Sequence, residues 1–344
     1  MELALTNAES RVPFVEAVYK VTKRADVLVK PAASHTATMC VAAVFDDPDR
    51  RFTGLGGRVD MPRSLASIYA GSVARFLGST FTATAQHFIK TPVMRSIGNG
   101  LALSHDGATL LVSDNCGGSH AIHEFRVSDG ARLRVIGSRG VGPLQFRSPA
   151  WLCFAASDDF VFVPEMDNNR IQVLTPRLEF HSFVGVGQIY RPKCVCANDE
   201  IIAATEETRH SVVVFSRGDG ALIRRFGNRG AGDGEMQWPG GLCLMASHRQ
   251  LAVVSSWNHS ISIFTFEGVF VRHVGVGTLY HPGGVACSAY NELVVADGTN
   301  RGVVFSASGE VHRTMRGCLV GSIALRGGVV VTQATVGSRC AVFM

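Results

Sequence analysis

Arginine and aromatic residues recur in this sequence just ahead of four prolines, Pro149, Pro192, Pro239 and Pro282, which are 43, 47 and 43 residues apart. Side chains of these two types suit the binding of macromolecules. An aromatic ring stacks on an unpaired base or anchors a peptide, and a guanidinium adds bidentate hydrogen bonds. The residues assigned to this candidate binding rim are Arg139, Arg147, Tyr190, Arg191, Arg229, Trp257, His259, Tyr280 and His281.

Two groups of residues have spacings that a metal site would need. Cys153, Cys196 and Cys243 occupy equivalent positions in successive repeats, and three thiols could hold a soft metal. Cysteine is also a small apolar residue suited to a crowded interior, and this second interpretation is the one we adopt. A further group, Cys116 with two histidines at 120 and 123, lacks a fourth ligand. The sequence therefore predicts neither a metal nor a cofactor.

Motifs of enzymes are missing from the sequence. It contains no Gly-x-Ser-x-Gly elbow and no His-Glu-x-x-His pair. Glycine-rich segments such as 185–187 and 230–234 look like phosphate loops, but each precedes a predicted strand rather than a helix. No helix N-terminus is then available to an anion, so we interpret these segments as turns and the chain as a non-enzyme.

The elements that position the rim are short β-strands in a repeat of forty-odd residues. In residues 192–227, four apolar runs are separated by turn sequences such as Asn198-Asp199 and Gly218-Asp219-Gly220, a pattern typical of a four-stranded antiparallel meander. Repetition of such a unit indicates a propeller or solenoid. The predicted fold is all-β: a six-bladed β-propeller of four-stranded antiparallel blades.

The two ends of the repeated region are predicted to complete one blade together. The last unit offers three strands before Met344, and residues 92–98 look like a fourth strand that precedes the first unit. Closure of this kind removes exposed sheet edges. We therefore predict a propeller over 91–344 that the strand at 92–98 closes, preceded by an extension over 1–90 that is partly helical (62–77) or disordered.

The repeats resemble those of the NHL family of six-bladed propellers. The likeness is carried by residues 163–174, 295–305 and 227–239, which contain strands that lead into polar corners, a β-run ending in phenylalanine, and a glycine-rich loop ending in proline. The corner residues are expected to tie strands together: Asp167, Asn168, Asn169, Arg170, Asp297, Asn300 and Arg301. The rim loops should emerge on the same face as these corners, with Phe146 and Trp238 as packing residues between blades.

Composition restricts the partners and the compartment. The net charge is +5 with 18% charged and 46% hydrophobic residues, which argues against a dense polybasic surface. Nine cysteines without disulfide-type spacing predict a reducing compartment. The first thirty residues lack a signal-like apolar run, and no stretch is apolar enough to cross a membrane. We expect a cytoplasmic or nuclear protein that binds neither DNA nor membranes.

Three functions follow from the rim and the resemblance. The first is a non-catalytic interaction scaffold for a protein partner. The resemblance implies a substrate-recognition role in ubiquitination, and this would be an adaptor role because the sequence has no paired Cys-x-x-Cys sites for a RING. The second is a single-stranded RNA-binding propeller. The third is a metal-dependent lyase or hydrolase that uses the central channel.

Overall fold

A computed structural model describes the backbone of strands Asp26–Pro31, Thr36–Val44, Arg51–Phe52, Val59–Pro62 and His87–Lys90, and residues 99–115, 118–316, 321–326, 329–334 and 339–343. The chain forms two compact units, Met1–Phe81 and Thr82–Met344. In the first unit, Thr36–Val44 pairs with the other three strands. Apart from Pro62, which ends a strand, the helix predicted over 62–77 lies outside the described residues. Within those residues no helix has the length and apolar character needed to cross a membrane.

The second unit is a β-propeller of four-stranded antiparallel blades, as the repeat predicted. Five of its blades are each formed by one contiguous segment, with the strands in sequence order from the first to the fourth. Blade 1 contains Leu101–Leu103, Thr109–Asp114, Ala121–Arg126 and Arg132–Ile136. Blade 2 contains Cys153–Phe154, Val161–Glu165, Arg170–Leu174 and Phe180–Val184. Blade 3 contains Pro192–Ala197, Ile201–Glu206, Ser211–Ser216 and Leu222–Phe226. Blade 4 contains Pro239–Met245, Gln250–Ser255, Ser260–Thr265 and Phe270–Val274. Blade 5 contains Val285–Cys287, Leu293–Asp297, Arg301–Phe305 and Val311–Arg316.

The end of the propeller differs from the prediction. The sequence predicted six blades, the last completed by residues 92–98, whereas the structure shows the five blades above and one composite sheet. That sheet contains Ile323–Arg326, Val329–Ala334 and Arg339–Phe343, and its outer strand is His87–Lys90. Residues 92–98 lie outside the described residues. The two ends of the unit share a sheet as expected, but an earlier segment supplies the strand, with Ile89 opposite Cys340.

The core lies between neighbouring sheets. The middle strands of each blade are apolar on both faces, as in Val161–Glu165 and Ser211–Ser216, because each face packs against another sheet. Side chains of blades 3 and 4 form one cluster, and blades 4 and 5 form the next. The composite sheet packs against blade 1 through Ala324 and against blade 5 through Ile323. The fourth strands are largely exposed on the perimeter.

A β-bulge recurs where the third strand meets the fourth. In each of the five blades the register shifts just before the same residue, which is buried: Phe125, Leu174, Phe215, Phe264 and Phe305. A bulge increases the local twist, which a wedge-shaped blade requires. The phenylalanine that ends the β-run in the sequence motif therefore marks the bulge and fills the space between blades.

Short elements in the loops complete the fold. Ser138–Arg139 pairs in parallel with Gln145–Phe146, and Asn228–Arg229 pairs with Glu235–Met236. Single 3-10 turns span Glu207–Arg209, Ala246–His248 and Ser256–Asn258. The glycine-rich segments are turns, as predicted. For example, Gly185 and Gly187 both have positive φ and lead to the first strand of blade 3.

Candidate interaction surface

Buried polar side chains hold each loop that enters a blade. In blade 3, Glu206 ends the second strand and is fully buried. Its carboxylate accepts the backbone N–H of Tyr190 at 2.7 Å, the hydroxyl of Ser211 at 2.8 Å and Nε of Arg225 at 2.7 Å. Glu165, Ser255 and Asp297 occupy the same position in blades 2, 4 and 5, and each accepts a backbone N–H from its own entry loop. The loops that carry the predicted rim are therefore held by buried polar side chains at the ends of the second strands.

The corner between the second and third strands holds the entry loop of the next blade. One corner side chain in each of blades 1 to 4 accepts the backbone N–H of the residue just before the proline. We call these four hydrogen bonds the interblade clamps: His120 with Ser148 (3.0 Å), Asn169 with Arg191 (2.9 Å), His210 with Trp238 (3.0 Å) and His259 with His281 (2.9 Å). All eight residues have φ between 44° and 55°, a left-handed conformation that is rare outside glycine. The clamps offset the cost of that conformation.

The clamps bring together a row of aromatic rings, of which Trp238, Trp257 and Tyr280 are exposed and His210 is buried. We call this row the aromatic ridge: His210, Trp238, Trp257, His259, Tyr280 and His281. The ring centroids of the two tryptophans are 6.1 Å apart, and those of Trp257 and His281 are 6.0 Å apart. His259 stacks on Tyr280 at 5.1 Å with an interplanar angle of 6°. Trp257 is 59% exposed and Tyr280 is 56% exposed. The ridge presents a continuous apolar and polarisable surface across the entries of blades 4 and 5.

One of the four rim arginines forms an ion pair, and the other three have no salt bridge within the described residues. Arg191 forms an ion pair with Asp167 at 2.8 Å, between Nη1 and Oδ1. Arg139, Arg147 and Arg229 are exposed side chains without such a partner there. Arg209, which the sequence analysis did not select, lies over the ring of Tyr190 at 4.9 Å. Of the three unpaired arginines, Arg229 lies near His210, so the surface beside the ridge carries positive charge that is available to a ligand.

The environment of two corner histidines favours their neutral form. Burial lowers the pKa of His210, and the positive charge of Arg229 lowers it further. Burial likewise lowers the pKa of His120, with a second contribution from Arg139. A neutral imidazole keeps one ring nitrogen as an acceptor, as the clamps require.

Five of the nine predicted rim residues come together on blades 3 to 5. The ridge contains four of them: Trp257, His259, Tyr280 and His281. The fifth, Tyr190, lies under the guanidinium of Arg209, which precedes His210 in the chain. Arg139 and Arg147 lie instead beside His120, at the entry of blade 2. The geometry gives His259 a structural task as well, since its Nδ1 closes a clamp. The corner residues act as expected: for example, Asn168 Nδ2 donates to the carbonyl oxygen of Gly140 at 3.0 Å.

Sequence reasoning missed Trp238 and His210. Trp238 was interpreted as a packing residue like Phe146, yet Trp238 is 37% exposed whereas Phe146 is fully buried. The sequence does contain a signal for this difference. Trp238 immediately precedes its proline, as Arg191 and His281 precede theirs, whereas Phe146 lies three positions before Pro149.

The central channel is lined by the first strands. Five thiols lie there rather than the three in matching register, since Cys194 and Cys287 join Cys153, Cys196 and Cys243. Burial raises the pKa of Cys194 to about 12, and it raises the pKa values of Cys196 and Cys243 well above their ordinary range. The described residues contain no group of three or more histidine, cysteine or acidic side chains arranged to hold a metal ion. These thiols pack as small apolar groups.

The other metal candidate is only partly described. Cys116 lies outside the described residues. His123 is buried 3.5 Å from Asp114, measured between Nε2 and Oδ2, whereas His120 uses its Nδ1 in a clamp. The two histidines therefore serve different contacts in this part of the fold.

Comparisons with known proteins agree with this architecture. No family model matches the chain. RING finger protein nhl-1 of Caenorhabditis elegans is 38% identical over 74 residues, which is 20% of this chain. Protein brain tumor of Drosophila melanogaster is 28% identical over 129 residues, which is 36% of this chain. Both are NHL-repeat proteins, so the predicted resemblance is confirmed.

Both matches are short compared with the relatives themselves. They cover 8% and 12% of the lengths of the two relatives. The solved structure of a streptogramin B lyase superimposes with a TM-score of 0.53 over 75% of this chain and 96% of its own, at 11% identity. That likeness shows the propeller fold alone.

Proposed function

We propose that this chain, an NHL-like β-propeller, is a non-catalytic scaffold that binds a protein partner through the aromatic ridge on its loop face. The observation that carries the proposal is the exposure of Trp238, Trp257 and Tyr280 side by side. Large rings at the centre of a surface patch are the residues on which most interface binding energy depends.

The way the ridge is held supports a binding role. Each entry loop is fixed twice, by a buried group of its own blade and by the corner of the preceding blade. For the loop before blade 5, these groups are Asp297, which binds the Tyr280 N–H at 2.6 Å, and His259. A surface organised before binding loses less conformational entropy when the partner binds. The loops therefore have the properties of a docking platform.

The test is affinity purification with ridge variants, in which recovered protein and RNA are analysed separately. Trp257→Ala combined with Tyr280→Ala should reduce recovery of the specific protein partner at least tenfold, because interface aromatics cost more than about 1.4 kcal/mol when truncated. Leu133→Ala combined with Val135→Ala is the matched control, since both residues are exposed on the outer strand of blade 1. Equal recovery with the ridge and control variants would contradict the proposal.

Single-stranded RNA is the second candidate ligand. Arg209 over Tyr190 and the free cations Arg147 and Arg229 provide the combination of rings and charge on which unpaired bases stack. Arg147→Ala with Arg229→Ala should then weaken RNA binding and reduce the slope of log K against log salt by about one to two. A slope that stays unchanged would exclude this candidate.

A role in ubiquitination would be that of an adaptor. One relative is named for a RING finger, and it matches this chain over 74 residues. We infer that the ridge would present a bound protein to a ligase formed by other chains. Co-purification of a ubiquitin ligase that is lost with the Trp257 and Tyr280 variants would support this role, and ligase recovery that ignores those variants would oppose it.

We also propose that the propeller binds a partner and that its central channel has no catalytic role. The channel-lining side chains are mainly aliphatic or thiol, and the raised pKa of Cys194, about 12, keeps that thiol protonated at neutral pH. Elemental analysis should find no stoichiometric metal in the purified protein. A bound metal whose removal abolishes a lyase or hydrolase activity would restore the enzyme hypothesis.

We propose, finally, that the composite sheet serves as the sixth blade and closes the ring. Its first strand packs against those of blades 1 and 5, and the backbone N–H of Leu101 donates to Ser322 Oγ at 3.0 Å. Phe88→Pro combined with Ile89→Pro in the full chain should lower the melting temperature, because proline removes a ladder donor. Ser96→Pro combined with Ile97→Pro should lower the melting temperature less. A larger decrease with this second pair would indicate that residues 92–98 supply the closing strand.

A further inference from the structure

Three of the four interblade clamps use an imidazole as the acceptor, and one uses an amide. His120, His210 and His259 accept through Nδ1, whereas Asn169 accepts through Oδ1 at the equivalent corner of blade 2. The four acceptors have the same backbone conformation and bind the same kind of donor at 2.9–3.0 Å. They differ in chemistry, because an imidazole can take up a proton at its acceptor nitrogen, whereas an amide oxygen stays an acceptor.

Protonation removes the acceptor. In the imidazolium both ring nitrogens carry hydrogen, so Nδ1 no longer accepts the N–H of Trp238 or His281. Two donors then face each other at about 3 Å, and the backbone N–H is left without a partner. An amide such as that of Asn169 keeps its oxygen over the same pH range.

Charged and aromatic side chains surround the ridge histidines. His210 faces Arg229, the indole of Trp238 at 5.7 Å, and Glu207 of its own turn, while Arg209 beside it binds Glu206. The carboxylate of Glu207, which interacts with the ring, is itself 3.8 Å from Lys193.

His259 lies among other rings. His281 is edge-on at 4.3 Å and Tyr280 is stacked on it. The nearest buried carboxylate on the packed elements, Asp297, is already occupied by Tyr280 N, Thr299 and Arg301.

We propose that the aromatic ridge is a proton-sensitive surface: protonation of His210 and His259 breaks two interblade clamps and releases the loops that carry Trp238 and His281. The ridge is ordered at and above neutral pH, and it loosens on acidification. The effect on a bound partner rests on the proposed function, whereas the loosening itself does not.

Proton linkage gives the direction in which the stability contributed by the His210 clamp changes with pH. Its pKa in the folded protein lies below the ordinary value of 6.5. The unfolded chain therefore binds more protons between the two values, so the clamp contributes its full stability above about pH 6.5 and loses it as the pH falls through the lower, folded value.

The test measures amide hydrogen exchange by NMR in the full chain at pH 7.5 and pH 5.5, expressed as protection factors. The amides of Trp238 and His281 should lose about two- to tenfold of their protection at the lower pH, since a net hydrogen bond of this kind has that effect on an equilibrium. The amide of Arg191 is the internal control because its acceptor is Asn169. Equal loss at Arg191, or no loss at Trp238, would overturn the proposal.

Two variants separate the titration from the hydrogen bond. His210→Asn keeps an acceptor and tolerates positive φ, so Trp238 should stay protected at both pH values. His210→Ala removes the acceptor, so Trp238 should be weakly protected at both. A His210→Asn protein that still loses protection on acidification would refute the role of the imidazole.

A second measurement concerns the partner. Binding of the protein recovered by affinity purification is compared at the two pH values for the wild-type chain and for His210→Asn combined with His259→Asn. Binding that weakens on acidification only in the wild type supports the proposal, and equal weakening in both contradicts it. If the ridge proves not to bind a partner, the exchange experiment still decides the proton sensitivity.

Discussion

Replacing Glu206 with glutamine should destabilise the propeller far more than the same replacement at Glu207. Glu206 is fully buried and receives hydrogen bonds from Tyr190 N, Ser211 and two arginines. Glu207 is half-buried, and its one ion pair within the described residues is with Lys193, at 3.8 Å. The two residues are adjacent in the chain, so the pair isolates burial and hydrogen bonding from sequence position.

The magnitude follows from the partners of the carboxylate. Hydrogen bonds to a charged acceptor contribute about 1 kcal/mol more than those to a neutral one, so the two uncharged donors account for about 2 kcal/mol. The side chains of Arg225 and Arg209 are 35% and 49% exposed, and water compensates most of their loss, which leaves about 0.5 kcal/mol. Glu206→Gln should therefore cost about 2–3 kcal/mol, and Glu207→Gln about 0.5 kcal/mol.

The assay is urea unfolding followed by tryptophan fluorescence, with the free energy of unfolding compared at fixed slope. In blade 4, Ser255 holds the entry loop from the same position with a neutral hydroxyl. We therefore expect the cost of Glu206→Gln not to exceed this range. Equal destabilisation by the two variants would refute the view that the buried carboxylate holds the entry loop.

Further predictions concern the inner strands and the thiols. Gly241→Ala should cost at least about 2 kcal/mol, because its Cβ would lie 2.8 Å from the backbone nitrogen of Val285 in the next blade. Gly218→Ala, whose Cβ would meet nothing closer than 3.9 Å, should stay within about 0.5 kcal/mol in urea unfolding, and similar losses would refute the difference. Cys194, Cys196 and Cys243 should react with iodoacetamide at pH 8 at least about 100-fold more slowly in the folded than in the unfolded protein, because burial raises their thiol pKa values. Peptide mapping by mass spectrometry measures these rates, and labelling of folded Cys196 as fast as in urea would contradict the packing interpretation.

The closing strand shows where sequence reasoning fails. Residues 92–98 and the strand His87–Lys90 are both short segments that mix polar and apolar residues, and both precede the first unit. An outer strand is exposed on one side, so its own sequence is only weakly constrained. Pairing with Arg339–Phe343, from the other end of the chain, selects the earlier segment.

The sequence alone determines the blades, because the information for a meander is local. Apolar runs, turn residues and a large apolar residue at each bulge, phenylalanine in four of the five blades, lie within one unit, and their repetition predicts the propeller and the face on which its loops emerge. Only the tertiary structure decides how neighbouring loops meet. The contact of Trp257 with His281, and the bond from His281 to His259, join residues of adjacent blades whose orientation depends on clamps and buried carboxylates. Such contacts depend on side-chain direction across a packed interface, which the repeat period does not encode.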